Sequence, residues 1–156
     1  MKAIFLDIDG VLNNIQHITL LYEELLGEKQ YVQLLRELGA TPFDYRSCKL
    51  LQDLIKHTNA DIILSSTWRL NDKNIQIIEG YTGIQIKDKT PGLSCSRGIE
   101  INTYLNEHPE IKNYVIIDDD TDMMAEQVSH FVKCNTNTGF TQKEYEEALK
   151  ILESEE

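Results

Sequence analysis

The sequence predicts a layered α/β fold with a central parallel sheet, and three observations carry that reading. Four short apolar runs, KAIFLD, ADIILS, NYVIID and HFVKC, have the continuous hydrophobicity of strands covered on both faces. Amphipathic helical patterns lie between them, and strands alternating with helices build a parallel sheet flanked by helical layers. Small polar or acidic residues follow three of the runs directly, as they do where a parallel sheet presents a ligand site.

In chain order, the first strand is AIFL with Lys2 before it and Asp7 after it. Residues 14–42, NIQHITLLYEELLGEKQYVQLLRELGATP, then break the alternation. They read as two helices ending at Gly27 and Gly39, since glycine suits the left-handed position that closes a helix. Such a pair either packs on the sheet or forms a small helical cap. A cap is the expectation, because insertions at loop ends of a sheet carry function. The stretch DYRSCKLLQDLIKHT next puts Leu50, Leu51, Leu54 and Ile55 on one helical face. After ADIILS, the stretch RGIEINTYLNEH does the same with Ile101, Tyr104 and Leu105, and Pro109 stops it. After NYVIID and HFVKC, the stretch TQKEYEEALKIL opens on a capping box, Thr141 with Glu144, and aligns Tyr145, Ala148, Leu149 and Leu152.

Length and composition bound the function. The 156 residues suit a single domain over 1–156 with the small insertion at 14–42. Apolar residues make up 41%, enough for a core and too many for a disordered chain. Asp7 arrives before any long hydrophobic stretch, so no signal peptide is expected; no run reaches the length of a membrane span, and a cytoplasmic location follows as the expectation. Fifteen Lys and Arg against 26 Asp and Glu give −11, which argues against a surface that binds long nucleic acid and leaves room for a local basic pocket. Cys48, Cys95 and Cys134 are far apart and form no CxxC pair, so they are expected to be reduced, with Cys134 in the core. His17, His57, His108 and His130 show no paired metal spacing.

The chemistry concentrates at the strand ends. Asp7-Ile8-Asp9-Gly10 follows the first strand, Ser65-Ser66-Thr67-Trp68-Arg69 the second, and Asp118-Asp119-Asp120 the third. Residues two apart in an extended chain point to one side, so Asp7 and Asp9 can share a pocket, and Asp118 and Asp119 can add two acids to it. Clustered carboxylates repel unless a proton or a cation intervenes, and an all-oxygen set without His or Cys favours Mg²⁺. A calcium loop is excluded. Its sixth position requires Gly and its twelfth Glu, whereas a frame from Asp7 puts Leu12 and Ile18 there and a frame from Asp118 puts Met123 and Ser129.

DIDGVL, the strand-end Ser65, a downstream basic residue and the VIIDDD run together resemble the four motifs of the haloacid dehalogenase (HAD) superfamily of phosphatases. The longer spans FLDIDGVLN, DIILSSTWR, SRGIEI and YVIIDDDTDM are similar to the HAD domain of Swiss Army Knife RNA repair proteins, which is related to polynucleotide phosphatase domains. The resemblance runs over roughly residues 1–140 and implies a HAD-like Rossmannoid three-layer sandwich with a small helical cap insertion. It implies Asp7 as nucleophile and Asp9 as general acid and base. Ser65, with Gly10 and Ser66 beside it, would bind the phosphoryl group. Mg²⁺ would be held by Asp7, the Asp9 carbonyl, and Asp119 with or without Asp118. The third motif is usually Lys in that superfamily; here Arg97 is the candidate, with Lys87 and Lys89 as substitutes.

The residues support that chemistry in their own right. A carboxylate serves as nucleophile toward phosphorus when metal and guanidinium neutralise the phosphate charge. The implied activity is Mg²⁺-dependent phosphomonoester hydrolysis of a phosphorylated small molecule, a nucleotide or the end of a short nucleic acid. A phospho-acceptor receiver module and a catalytically silent HAD-like binding protein are the alternatives. In a receiver, however, the acid pair comes first and the acceptor later, the reverse of the order here. Trp68 is expected to pack in the core. Arg69 is open between binding a second phosphate or substrate rim and pairing with an acid. Asp120 and Asp122 are expected to stand behind or beside the site.

Overall fold

The computed structural model describes residues 1–24 and 41–154. Five strands form one sheet: β1 (Lys2–Leu6), β2 (Asp61–Leu64), β3 (Ile86–Lys89), β4 (Asn113–Asp118) and β5 (Phe131–Lys133). All neighbours are parallel, in the order β3-β2-β1-β4-β5. The helices are α1 (Ile15–Glu24), α2 (Tyr45–Thr58), α3 (Asp72–Thr82), α4 (Arg97–Glu107) and α5 (Gln142–Glu153).

Alternation along the strands divides the core into two layers. Ile4 and Leu6 of β1 face one side, where they meet Leu51 and Leu54 of α2, Ile78 of α3 and Ala148 and Leu152 of α5. Ala3 and Phe5 face the other side, against Ile101 and Tyr104 of α4. The Phe5 ring meets Tyr104 and Tyr114 edge-on, each at 5.8 Å between centroids. Helices on both faces of a parallel sheet give the three-layer sandwich that the sequence predicts.

The helix ends follow their local chemistry. Asp44 caps α2 by accepting the Arg46 N–H, and Asn59 closes it in the left-handed conformation at φ 53°. The expected Thr141–Glu144 capping box opens α5. The sequence did not reveal β3 or α3, for a physical reason. β3 is an edge strand reading IKDK, with Lys87 and Asp88 exposed. In α3 only Ile78 and Thr82 are buried, so neither element has a full apolar stripe. Of the two helices expected in 14–42, the first falls on α1, and the second lies outside the described residues. All three cysteines are free, with Cys48 and Cys134 buried. No helix among the described residues is long and apolar enough to cross a membrane.

The strand order fixes where a site can form. From β1 the chain moves outward through β2 to β3, then returns to the other side of β1 to lay down β4 and β5. The connections leaving β1 and β4 therefore diverge, and a crevice opens beyond the carboxyl ends of those two strands.

Candidate active site

Sheet hydrogen bonding continues one residue past several strands and sets the floor of that crevice. The Asp7 N–H donates to Ile117 O at 3.0 Å, and the N–H groups of Ser65 and Ser66 both donate to Leu6 O. Asp7 after β1 and Asp118 at the end of β4 are thus side by side. Carboxylate oxygens of Asp7, Asp118 and Asp119 all lie within 4.8 Å of one another. Asp7 and Asp118 are buried, at 6% and 1% exposure.

One cation enters this group. Arg97, the first residue of α4, places Nη1 3.1 Å from Asp7 Oδ1 and 3.3 Å from Asp118 Oδ2. Its backbone N–H donates to Asp122 Oδ2 at 2.8 Å, and the Gly98 N–H donates to Asp122 O. The Ser96 side chain makes no capping bond, so Asp122 satisfies the start of α4 and fixes where the Arg97 side chain begins. Lys87 and Lys89, the substitutes, point elsewhere: Lys87 pairs with Asp61 at the far end of β2, and Lys89 with Asp72.

The electrostatics record an excess of negative charge. Burial, reinforced by the Asp7 charge, pushes the Asp118 carboxyl up to about 7 against the pull of Arg97. Burial also raises Asp7, against Arg97 and a hydrogen bond with Ser66. Arg97 is held above its ordinary value because Asp118 and Asp7 outweigh the burial that works against its charge.

The donor set fits a hard divalent cation. Asp118 Oδ2 is buried and makes no hydrogen bond, although Arg97 stands beside it. Asp119 is half-buried beside the same cluster and is oriented by the Thr136 hydroxyl, which donates to its Oδ2 at 2.8 Å. Gly10 makes room for it. A Cβ at that position would stand 2.2 Å from Asp119 Oδ2, and φ is +75°. Three carboxylates, an orphaned oxygen and a backbone shaped around the third acid are compatible with an oxygen-ligated ion such as Mg²⁺.

Asp9 stands apart from the cluster, and its carboxylate is not one of the three. Its Oδ1 accepts Asn13 Nδ2–H at 2.7 Å and its Oδ2 accepts Trp68 Nε1–H at 2.9 Å. Ser65 is fully buried, and its Oγ has no partner among the described residues. The Ser66 Oγ accepts the Trp68 N–H and so caps the turn Thr67–Leu70.

Two expected binding residues have partners within the chain. The Gly10 N–H is donated to Asn13 Oδ1 at 2.9 Å. Arg69 is engaged inside the fold. It is 4% exposed, and its guanidinium donates to Ser65 O, Thr90 O, Pro91 O and the Glu100 carboxylate. Its donor fork is turned inward and pairs with an acid, one of the two alternatives that the sequence leaves open. Trp68 is half-buried, packed on Phe43 at 5.7 Å between centroids, with its polar edge on Asp9. Asp120 stands behind the site, its N–H donating to Asp118 Oδ1. Thr136 and Glu100 had no signal in the sequence, because each acts through contacts between distant segments, and Asn13 had none because its amide works within the turn after β1.

The family model for the HAD domain in Swiss Army Knife RNA repair proteins matches residues 3–145. The chain belongs to this family. No curated protein and no solved structure matches it. The match spans the sheet, all three strand-end clusters and the helix that carries Arg97. Membership in the HAD superfamily supports a phosphatase-type enzyme at that level.

Proposed function

We propose that this HAD domain hydrolyses phosphomonoesters through an aspartyl-phosphate on Asp7, with Mg²⁺ as cofactor and a nucleotide or a phosphorylated nucleic-acid end as substrate. The observation that carries the reading is the convergence of Asp7, Asp118 and Asp119 within 4.8 Å, with Arg97 reaching two of them.

Asp7, Asp118 and Asp119 would hold the ion, together with the Asp9 carbonyl. When bound, Mg²⁺ supplies positive charge that offsets the phosphate oxygens and the buried carboxylates. The steps fall to the chain. Asp7 Oδ attacks phosphorus while the bond to the leaving oxygen breaks. Asp9, protonated, gives its proton to that oxygen, and the alcohol departs. Asp9, now a carboxylate, takes a proton from water as the water oxygen attacks the aspartyl-phosphate, returning Asp7 and releasing inorganic phosphate. Arg97 offsets charge on the transferring group, and the unpartnered Ser65 hydroxyl supplies a hydrogen bond to it.

The substrate class is supported by the family, whose description names RNA repair. A net charge of −11 favours a nucleotide or a short end over a long duplex. A phosphate-release screen over nucleotides, sugar phosphates and 3′- or 5′-phosphorylated oligonucleotides tests the proposal. Release that stops with EDTA and returns with Mg²⁺ is the expected result. Activity indifferent to chelation would remove the metal, and a long-lived phosphoprotein without release would favour the receiver-like alternative.

A further inference from the structure

We infer that Trp68 and Asn13 form a clamp that holds the Asp9 carboxylate and aims its proton at the leaving group, which makes Trp68 a positioning residue for the departure step. The inference rests on the phosphatase reading above.

The geometry is specific to Asp9. Each of its carboxylate oxygens accepts a hydrogen bond from a neutral side chain, Asn13 Nδ2 on one and Trp68 Nε1 on the other. Both partners are donors at the atoms that make contact. An indole has no acceptor, and the Asn13 acceptor Oδ1 is occupied by the Gly10 N–H. A proton carried by Asp9 therefore finds no acceptor in its clamp. It is left on a lone pair that neither Asn13 nor Trp68 occupies, free to pass to a bound leaving group.

The clamp is also stiff. Phe43, itself fully buried, supports the Trp68 ring, and Tyr81 of α3 packs on Phe43 at 6.3 Å. The Trp68 backbone is fixed at both ends: its N–H meets Ser66 Oγ, and its carbonyl accepts Asn74 Nδ2. Asn13 is buried at 7% exposure and is tied to the Gly10 turn. Asp9 is exposed and lies on a loop, so without the clamp its side chain would explore several rotamers.

The consequence depends on the leaving group. An alkyl phosphate, such as a nucleotide, needs the proton as its bond breaks. An aryl phosphate with an acidic phenol, such as p-nitrophenyl phosphate, hardly needs it. Trp68→Phe keeps the ring and removes the N–H. It should lower kcat on an alkyl phosphate about tenfold more than on p-nitrophenyl phosphate, a part of the general-acid contribution. In an Asp9→Ala background the same substitution should add almost nothing, since the two changes remove one function.

A direct readout accompanies the kinetics. Trp68 is the only tryptophan, so the single indole N–H resonance reports the contact. That resonance should move upfield in Asp9→Leu with the melting temperature held. Equal losses on both esters, or a full additional loss in the Asp9→Ala background, would overturn the positioning role. An indole signal that ignores Asp9→Leu would overturn the clamp itself. Wild-type protein that releases phosphate from neither ester would instead overturn the reaction, and this role with it, whatever the indole shows.

Discussion

Arg69 and Arg97 are two shielded arginines at the same end of the sheet, and they are held in opposite ways. Arg69 faces one carboxylate, Glu100, and three backbone carbonyls. Its charge is balanced and its fork is filled. Arg97 faces two carboxylates with a third in the same cluster, so one positive charge meets three potential negative ones. Burial pulls Arg69 below its ordinary value despite Glu100, whereas its aspartates hold Arg97 above. A balanced buried charge joins elements of the fold. An unbalanced one leaves a demand that a proton, a metal ion or a ligand must meet, and this is the physical mark that separates the site from its scaffold.

The sharpest way to break that contrast is at Asp7. Asp7→Asn should lower phosphate release on the order of 10⁴-fold or more while leaving the circular dichroism spectrum unchanged. Turnover retained in that variant would remove Asp7 as nucleophile. Next come the arginines themselves. Arg69→Met strands Glu100 in the interior and should cost about 3–5 kcal/mol in urea denaturation, with no recovery on adding Mg²⁺. Arg97→Met should also destabilise the metal-free chain, but Mg²⁺ should restore most of the loss, because the ion answers the same carboxylates.

The wild-type pH dependence sharpens the comparison without a mutation. The Asp118 carboxyl sits at about 7 when folded, against 3.8 as its ordinary value. Between those values the folded chain keeps a proton that the unfolded chain has released, so this group's contribution to stability falls as pH rises from about 4 to about 7 and is then constant. Denaturation midpoints taken with a chelator should show that decline, and saturating Mg²⁺ should flatten it. The smallest expected effect lies away from both arginines. Asp44→Ala removes the cap of α2 and should cost about 1 kcal/mol, with no change in the Mg²⁺ midpoint.

The comparison also explains what the sequence could reveal. Four of the five strands were legible because buried parallel strands are continuous apolar runs, and β3 was not, because an edge strand carries Lys87 and Asp88. Asp7, Asp118 and Asp119 were legible because acids directly after apolar runs have no structural excuse. The fate of Arg69 was not legible, since its partner Glu100 lies 31 positions away on another element. Trp68 was read by its ring alone. Its indole N–H, which decides what it does, depends on a partner 59 positions distant.

Thr136 has a double attachment. Its hydroxyl orients Asp119, and its carbonyl accepts the N–H of Ile15, the first residue of α1. The neighbouring Asn137 carbonyl takes the N–H of Gln16. The root of α1 and one of the three clustered acids therefore hang from the same peptide. An outward movement of this helix would load the residue that orients the Asp119 carboxylate, so the seat of the helix and the setting of that acid are coupled through a single side chain and its own carbonyl.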